Sequence, residues 1–217
     1  MKQKVNLLNA IIDESMKQFF SKGYKSLNID ELVKDIGISK ATFYKYIPSK
    51  EFLFEECIRR HLDIFKKEIN GNIKKILKSN KETFFKFFIE LIKKSSDFLT
   101  SISGVINLQV EKRFPHISLK LKEFTKKQIE NSFFSIIQKG REIGLIKSQI
   151  NDEILFFIIF TTLTNIKQFI ETHRSEITLS KFFYEYFSIL FNGILLEESK
   201  SIFYKQFNIL IYEKGNF

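Results

Sequence analysis

Residues 39–46 place hydrogen-bonding and cationic side chains on one face of a short predicted helix. Ser39 is a favoured N-cap residue, and Phe43 and Ile47 are four positions apart, so both face inward. The side chains left on the outer face are small, hydroxyl-bearing or cationic: Lys40, Ala41, Thr42, Tyr44, Lys45 and Tyr46. Donors and cations of this kind pair with base edges in a major groove and with phosphates. The pattern therefore predicts a helix that binds duplex DNA.

A second short helix is predicted immediately before this one. Asn28 can cap it through its side-chain oxygen, and Glu31 three positions later completes a variant of the capping box. Its apolar residues recur at helical spacing: Ile29, Leu32, Val33 and Ile36. Gly37 can then adopt the left-handed conformation that reverses the chain after a helix. Two short helices around a glycine turn predict a helix-turn-helix.

A third helix opens behind the DNA-facing one. Pro48 ends the preceding helix, and Ser49 is placed to cap the next. Lys50 lies in the first turn, where its ammonium group and the free backbone N–H groups could hold a phosphate. Each of these residues taken alone can be explained as a helix cap, a core residue or a solvated charge. The ordered combination over residues 28–50 is what favours DNA binding.

This stretch resembles the N-terminal domain of the tetracycline-repressor (TetR) family of bacterial transcriptional regulators. The resemblance begins in the first predicted helix and its Phe-x-x-x-Gly-Tyr ending, at Ile11, Ile12, Met16, Phe19, Phe20, Lys22, Gly23 and Tyr24. It continues from residue 38 through residue 53 and covers the first quarter of the chain.

The resemblance implies roles for the individual residues of the motif. The family positions matched by Ser39, Lys40, Ala41 and Thr42 face bases or nearby phosphates, and those matched by Tyr44, Tyr46 and Lys50 hold the DNA backbone. The full expected DNA-binding set is Asn28, Ser39, Lys40, Ala41, Thr42, Tyr44, Lys45, Tyr46 and Lys50.

Three positions depart from the family pattern. Asn28 stands where threonine is favoured, although it still caps, and Ala41 stands where glycine or proline is frequent. Asp30 puts an acid close to the DNA-facing end, where phosphate repels it.

Length and composition predict an all-α chain of two domains. The 217 residues include two prolines and eight glycines, and no long stretch alternates apolar and polar residues. Such a pattern favours helices throughout. We expect a helix-turn-helix DNA-binding domain over residues 1–50 and a larger helical ligand-binding and dimerisation domain over residues 51–217.

The formal net charge of +10 agrees in sign with DNA binding. Residues 1–52 hold nine lysines against six acids, so most of the excess lies elsewhere. Lysine-rich helices are often only solvated. The prediction of DNA binding therefore depends on the motif rather than on the charge.

Further helices are predicted over residues 50–77, 81–100, 102–113, 115–140, 151–172 and 178–196, with a short one in the tail after residue 201. The helices near 151–172 and 178–196 are strongly apolar, so each is either core or shared with a partner. The family resemblance implies that two late helices of each subunit form a four-helix dimer interface. A homodimer through these two helices is expected, since helix-turn-helix proteins commonly pair two recognition helices.

The 26 phenylalanines suggest an aromatic pocket for an effector. Phenylalanine at helical spacing is more often core than pocket lining, and A/T-rich codons alone would produce the same excess. The family resemblance implies an effector cavity in the second domain, whose occupation changes the spacing of the two DNA-reading heads. The expected effector is a small apolar or amphipathic molecule, and the expected lining is Phe65, Phe87, Leu91, Phe133 and Phe160.

Catalytic and metal-binding patterns are missing from the sequence. His61, His116 and His173 are isolated, and no metal-ligand spacing, phosphate-cradling glycine loop or nucleophile elbow occurs. We expect no enzyme activity, metal or cofactor. The single Cys57 cannot form an internal disulfide, which fits a reducing cytoplasm. The longest apolar run, near residues 154–166, is short for a bilayer and contains threonines, so no membrane contact is expected.

These observations favour a cytoplasmic, ligand-responsive homodimeric repressor that binds a palindromic operator in double-stranded DNA. The alternative is an architectural or adaptor DNA-binding protein on the same fold that has no small-molecule effector.

Overall fold

The computed structural model describes residues 2–106, 108–172 and 177–214. The helices within these ranges are α1 Lys2–Lys22, α2 Ile29–Ile36, α3 Lys40–Tyr44, α4 Lys50–Leu77, α5 Lys81–Val105, α6 Leu108–Arg113, α7 Pro115–Glu142, α8 Asp152–Thr172, α9 Leu179–Ile194 and α10 Glu197–Lys214. A short 3-10 helix, Tyr24–Ser26, joins α1 to α2. The described residues contain no β-strand, only one isolated bridge between Ile146 and Leu195. The all-α prediction is confirmed.

Helix ends follow the caps that the sequence offers. Thr178 and Asn151 accept backbone N–H groups at the starts of α9 and α8, with Asn151 Oδ1 lying 2.9 Å from the Glu153 nitrogen. Pro115 opens α7, where its missing N–H costs nothing. The predicted end of α5 near residue 100 was wrong, because Ile102 and Val105 continue its buried face. The tail helix α10 is also longer than the short one expected.

The chain forms two compact units. The first comprises Met1–Lys67 and Phe98–Leu119, and the second comprises Glu68–Asp97 and Lys120–Phe217. Helices α4, α5 and α7 each contribute residues to both units. The first unit contains the helix-turn-helix together with the whole of α6. In sequence, α4 and α5 separate α6 from the helix-turn-helix.

Aromatic side chains fill the core of the first unit. The ring of Phe54 lies 5.1 Å from that of Phe19 on α1 and 5.4 Å from that of Phe114, which follows α6. Tyr24 also packs on Phe54 and Phe114, with ring centroids 5.0 and 5.2 Å apart. Large aromatic side chains bury the most apolar area per residue, so this cluster anchors α1, α4 and the segment around residue 114 to one another.

A second aromatic cluster fills the core of the second unit around Phe203 of α10. The Phe203 ring lies 5.3 Å from Phe85 of α5, 4.6 Å from Phe191 of α9 and 4.7 Å from Phe207. Phe88 joins the same cluster at 5.1 Å from Phe191. Phe85, Phe191, Phe203 and Phe207 are buried and Phe88 is half-buried. The four buried rings are core residues, as phenylalanine at helical spacing more often is.

Candidate DNA-reading surface

Helix α2 has the start and the end that its sequence predicts. Asn28 Oδ1 accepts the Asp30 backbone N–H at 2.9 Å. Its side-chain amide donates to Glu31 Oε1 at 3.4 Å, so Glu31 bonds to the capping side chain and not to the backbone as in an ordinary capping box. Gly37 has φ 76° and ψ 36°, and its N–H bonds back to the carbonyls of Val33 and Lys34. This left-handed turn brings the chain directly into α3.

Helix α3 is capped by Ser39 and anchored by Phe43. Ser39 Oγ accepts the Thr42 N–H at 3.0 Å, and the two hydroxyl oxygens lie 2.9 Å apart. Phe43 and Ile47 are both fully buried, as predicted. A buried residue near the end of a five-residue helix fixes the direction in which its other side chains point.

The helix is shorter than the sequence suggested. We predicted that it would run to Ile47, but α3 ends at Tyr44, and Lys45 and Tyr46 lie in the turn that follows. Pro48 contributes to the difference, because it has no N–H to bond the Tyr44 carbonyl and it disfavours helical geometry at Ile47. The Tyr46 and Ile47 N–H groups both bond to the Phe43 carbonyl, at 2.9 and 3.0 Å, which keeps this turn compact.

Most of the predicted contact residues are available to a DNA partner. Asn28, Ser39, Lys40, Ala41, Tyr44 and Lys45 are exposed, and Thr42, Tyr46 and Lys50 are half-buried. Tyr44 keeps half of its surface open and packs edge-on against Phe43 at 5.2 Å. The exposed residues of α3 and the turn after it therefore form one polar surface over a buried anchor. We refer to residues 39–46 as the reading face.

Lys50 has partners inside the first unit. Its ammonium group donates to the Leu27 carbonyl at 2.7 Å and to the Lys25 carbonyl at 3.4 Å, and it lies 5.0 Å from the centre of the Tyr24 ring. Burial lowers the pKa of this ammonium group, and the nearby guanidinium group of Arg113 lowers it further. The sequence suggested a phosphate ligand, whereas the structure adds a role in holding the loop before α2 to the start of α4.

Sequence reasoning missed a polar cluster next to Lys50. Glu51 accepts hydrogen bonds from the Tyr24 hydroxyl, at 3.0 Å, and from the guanidinium group of Arg113 at the end of α6. The Glu51 backbone N–H, then Arg113 and Tyr24, lower the pKa of the Glu51 carboxyl. His116 Nε2 lies 3.0 Å from Glu55 Oε1 one turn further along α4. The cluster joins residues 113–116 to the base of the helix-turn-helix.

Lys40 and Asp30 form an ion pair on the exposed surface of the helix-turn-helix. Asp30 lies in the first turn of α2 and Lys40 in the first turn of α3, and their side chains are 61% and 58% exposed. The acid that departs from the family pattern therefore pairs with a predicted DNA-contacting cation.

The five expected effector-lining residues do not fall in one unit. Phe65 lies in the first unit and stacks on Phe98 at 4.0 Å. Phe87, Leu91, Phe133 and Phe160 lie in the second, where Phe133 is buried against Phe156 at 5.4 Å.

A crevice in the second unit offers little space. It is lined by Ile92, Phe183, Tyr184, Phe187 and Phe207 and encloses about 10 Å³, room for about one water molecule. It shares no residue with the expected lining.

Two further side chains with reactive groups, His61 and Cys57, belong to the first unit. His61 Nε2 lies 3.0 Å from Ser101 Oγ, and its ring stacks on Phe98 at 5.1 Å. His173 lies outside the described residues. Cys57 is buried, and this burial raises the pKa of its thiol to about 12. Across the described ranges, no three His, Cys, Asp or Glu side chains converge as a metal site. None of the helices described is long and apolar enough to cross a membrane.

Gly37→Ala should destabilise the protein by about 1–2 kcal/mol, the cost of a left-handed backbone for a residue with a Cβ. No described atom lies within 4 Å of the added methyl group, so the cost comes from the backbone alone. Gly71→Ala is the matched control, because this site in α4 is equally open and has helical geometry, and it should stabilise by about 0.5–1 kcal/mol. Urea unfolding at one protein concentration measures both, and equal effects would contradict the assigned turn.

The helix-turn-helix matches a known family model. Residues 11–57 match the model for bacterial regulatory proteins of the tetR family. An uncharacterised HTH-type transcriptional regulator of Bacillus subtilis, YuxN, is 41% identical over 63 residues, a match that spans 29% of this chain and 21% of that protein. IcaR of Staphylococcus aureus, the negative transcriptional regulator of the biofilm operon icaADBC, is 22% identical over 66% of this chain and 92% of its own length.

The fold also matches a solved structure over nearly its whole length. A putative transcriptional regulator from Saccharomonospora viridis in complex with choline superposes with a TM-score of 0.63 at 13% identity, covering 89% of this chain and 100% of that one. At this identity the likeness concerns the fold alone. The helix-turn-helix geometry and the match of residues 11–57 to the family model together show that this chain carries the DNA-binding domain of the TetR family of bacterial transcriptional regulators.

Proposed function

We propose that this regulator is a homodimeric, ligand-responsive repressor that binds a nearly palindromic operator in bacterial cytoplasm. The observation that carries the DNA-binding part is the reading face, a row of exposed donors and cations held over the buried Phe43 and Ile47. In this proposal residues 1–50 bind DNA, and residues 51–217 provide dimerisation and effector binding. IcaR, a negative regulator, supports repression by analogy.

The residues of the helix-turn-helix divide into two groups by role. Ser39, Lys40, Ala41 and Thr42 at the start of α3 would face base edges, as the first residues of recognition helices do. Tyr44, Lys45 and Tyr46 would contact phosphates from the end of the helix and its turn. Asn28 and Lys50 would approach the backbone from the starts of α2 and α4, where free N–H groups favour anions.

A stripe of exposed apolar side chains on α8 supports the dimer. Ile154, Phe157 and Ile158 are 62%, 66% and 44% exposed, and Phe169 continues the same helix at 38%. On α9, Ile189 is 72% exposed. Exposed large apolar side chains grouped on neighbouring turns of a helix mark an interaction site, and a twofold axis would bury the same residues on both copies.

An effector would bind in the second unit. Phe87, Leu91, Phe133 and Phe160 supply aromatic and aliphatic surface there, which suits a small apolar or amphipathic molecule. The choline bound by the Saccharomonospora viridis protein is an example of a small molecule held by this fold. The effector controls DNA binding if it has different affinities for the DNA-competent and DNA-incompetent states.

Selection of bound sequences from random duplex DNA at near-physiological salt tests the proposal. Enrichment of one inverted repeat is the expected result, with half-sites about one helical turn apart. Shape-dependent binding without enrichment of any sequence would instead favour an architectural role. The absence of DNA binding by folded protein would overturn the proposal.

Thr42→Ala should change base preference at one position of each half-site, by about 5- to 100-fold in relative affinity, because it removes a hydroxyl from the reading face. Its backbone N–H would stay capped by Ser39.

Lys45→Ala should weaken binding to operator and random DNA alike and make the salt dependence shallower by about one phosphate contact. Lys45 is a cleaner choice than Lys50, whose ammonium group also holds Leu27 and Lys25. Parallel selections with both variants measure the difference, and the same change in both would contradict the division of roles.

A further inference from the structure

The ion pair between Asp30 and Lys40 joins the two helices of the helix-turn-helix at their N-terminal ends. Asp30 is well placed for its own helix, because an acid in the first turn interacts favourably with the positive end of the helix dipole. Lys40 is badly placed for the same reason, since a cation in the first turn of α3 is repelled by that end. The Asp30 carboxylate therefore offsets an unfavourable position of Lys40.

The pair does little for stability. Both side chains keep more than half of their surface exposed, and exposed ion pairs of this kind contribute little because water and salt screen them. The buried Phe43 and Ile47, together with the Ser39 cap, already hold α3 in position. The main effect of Asp30 is therefore on how available the Lys40 ammonium group is to DNA.

DNA would compete with Asp30 for that ammonium group. On DNA, Lys40 either remains with the carboxylate and contributes little, or leaves it for a phosphate or a guanine edge. When Lys40 leaves, the unpaired Asp30 carboxylate lies near a strongly negative partner, within the distance over which charges act at physiological salt. This cost applies wherever Lys40 leaves the carboxylate, so the pair weakens binding to operator and random DNA.

We propose that Asp30 is an internal competitor of DNA for Lys40, which lowers the affinity of the reading face for operator and random DNA alike. This inference rests on the proposed DNA-binding function and assigns a role to a residue whose own charge is repelled by DNA. A competitor within the protein does not favour the operator, because its cost there is at least as large as its cost on random DNA.

Asp30→Asn tests the inference with little change in shape. The variant should bind random duplex DNA about 3- to 10-fold more tightly than the wild type at near-physiological salt, with a steeper salt dependence by about one counterion. Affinity for the selected operator should rise at least as much, because Lys40 no longer has to leave a carboxylate to reach its acceptor there. Asp30→Glu should keep most of the wild-type affinity for both DNAs.

Two controls separate competition for Lys40 from the simple loss of a negative charge. Asp35→Asn removes the same charge from the other end of α2, where Asp35 is exposed and the described residues show no ion pair to it. It should increase affinity for random DNA less than Asp30→Asn does. In a Lys40→Met background, Asp30→Asn should have no larger effect than Asp35→Asn.

Equal effects of Asp30→Asn and Asp35→Asn, or a full effect of Asp30→Asn without Lys40, would overturn the inference while leaving the proposed function intact. An increase in affinity from Asp30→Glu as large as that from Asp30→Asn would also overturn it. If wild type and all variants fail to bind any DNA although they are folded, the proposed function and this inference both fail.

Discussion

Phe157→Glu should convert the regulator to a monomer and reduce its operator affinity by about 100-fold or more. Phe157 is 66% exposed in the middle of the apolar stripe on α8. In a twofold dimer the substitution places two carboxylates in an apolar interface, where an unpaired charge is costly and a central aromatic residue often dominates the binding energy. A monomer presents one reading face and loses the second half-site. Sedimentation equilibrium and operator titration measure the two effects.

Leu119→Glu is the matched control for this change. Leu119 is 61% exposed on α7 and belongs to the first unit, so this substitution introduces a carboxylate at an exposed apolar residue in the unit that contains neither α8 nor α9. It should leave both the oligomeric state and the operator affinity within about twofold, as surface substitutions usually do. A Phe157→Glu protein that remains a tight dimer would locate the dimer interface elsewhere.

Phe203→Ala should cost about 3–5 kcal/mol of unfolding free energy, a large part of the roughly 5–15 kcal/mol typical of a folded domain. Phe203 is fully buried, and its ring contacts Phe85, Phe191 and Phe207. Removing it leaves a cavity where α5, α9 and α10 meet. The expected fall in melting temperature is about 6–20 °C.

Phe52→Ala makes the same chemical change on the surface. Phe52 is 41% exposed on α4, so its loss should cost less than about 1 kcal/mol. Both variants must be melted at one protein concentration, since the stability of a dimer depends on it. Similar losses from Phe52→Ala and Phe203→Ala would mean that the cluster around Phe203 is not the core of the second unit.

The helix-turn-helix could be predicted from sequence because its signals are local. Asn28, Gly37 and Ser39 each act on backbone groups within five residues, and the structure contains all three contacts. The start of α4 is equally local, since the Phe52 N–H bonds to Ser49 Oγ at 3.1 Å. The early end of α3 was missed because the apolar spacing of Phe43 and Ile47 outweighed the effect of Pro48 on the residue before it.

The contacts that involve distant segments could not be predicted in the same way. Arg113 and Glu51 are 62 positions apart, and nothing in either local sequence marks the other as its partner. The second role of Lys50 depends on where the Leu27 and Lys25 carbonyls lie in space. Pocket residues are harder still, because phenylalanine at helical spacing looks the same whether it faces a core, a partner or a ligand.

The packing of Phe114 on Tyr24 and Phe54 affects how the protein folds during its synthesis. The helix-turn-helix leaves the ribosome first, but the aromatic ring that completes its core is made about 60 residues after Phe54. At ordinary translation rates of roughly 5–20 residues per second, this interval lasts about 3–12 s. During that time the sides of Tyr24 and Phe54 that pack on Phe114 are exposed, so the nascent domain is most prone to aggregation before the segment around residue 114 has emerged.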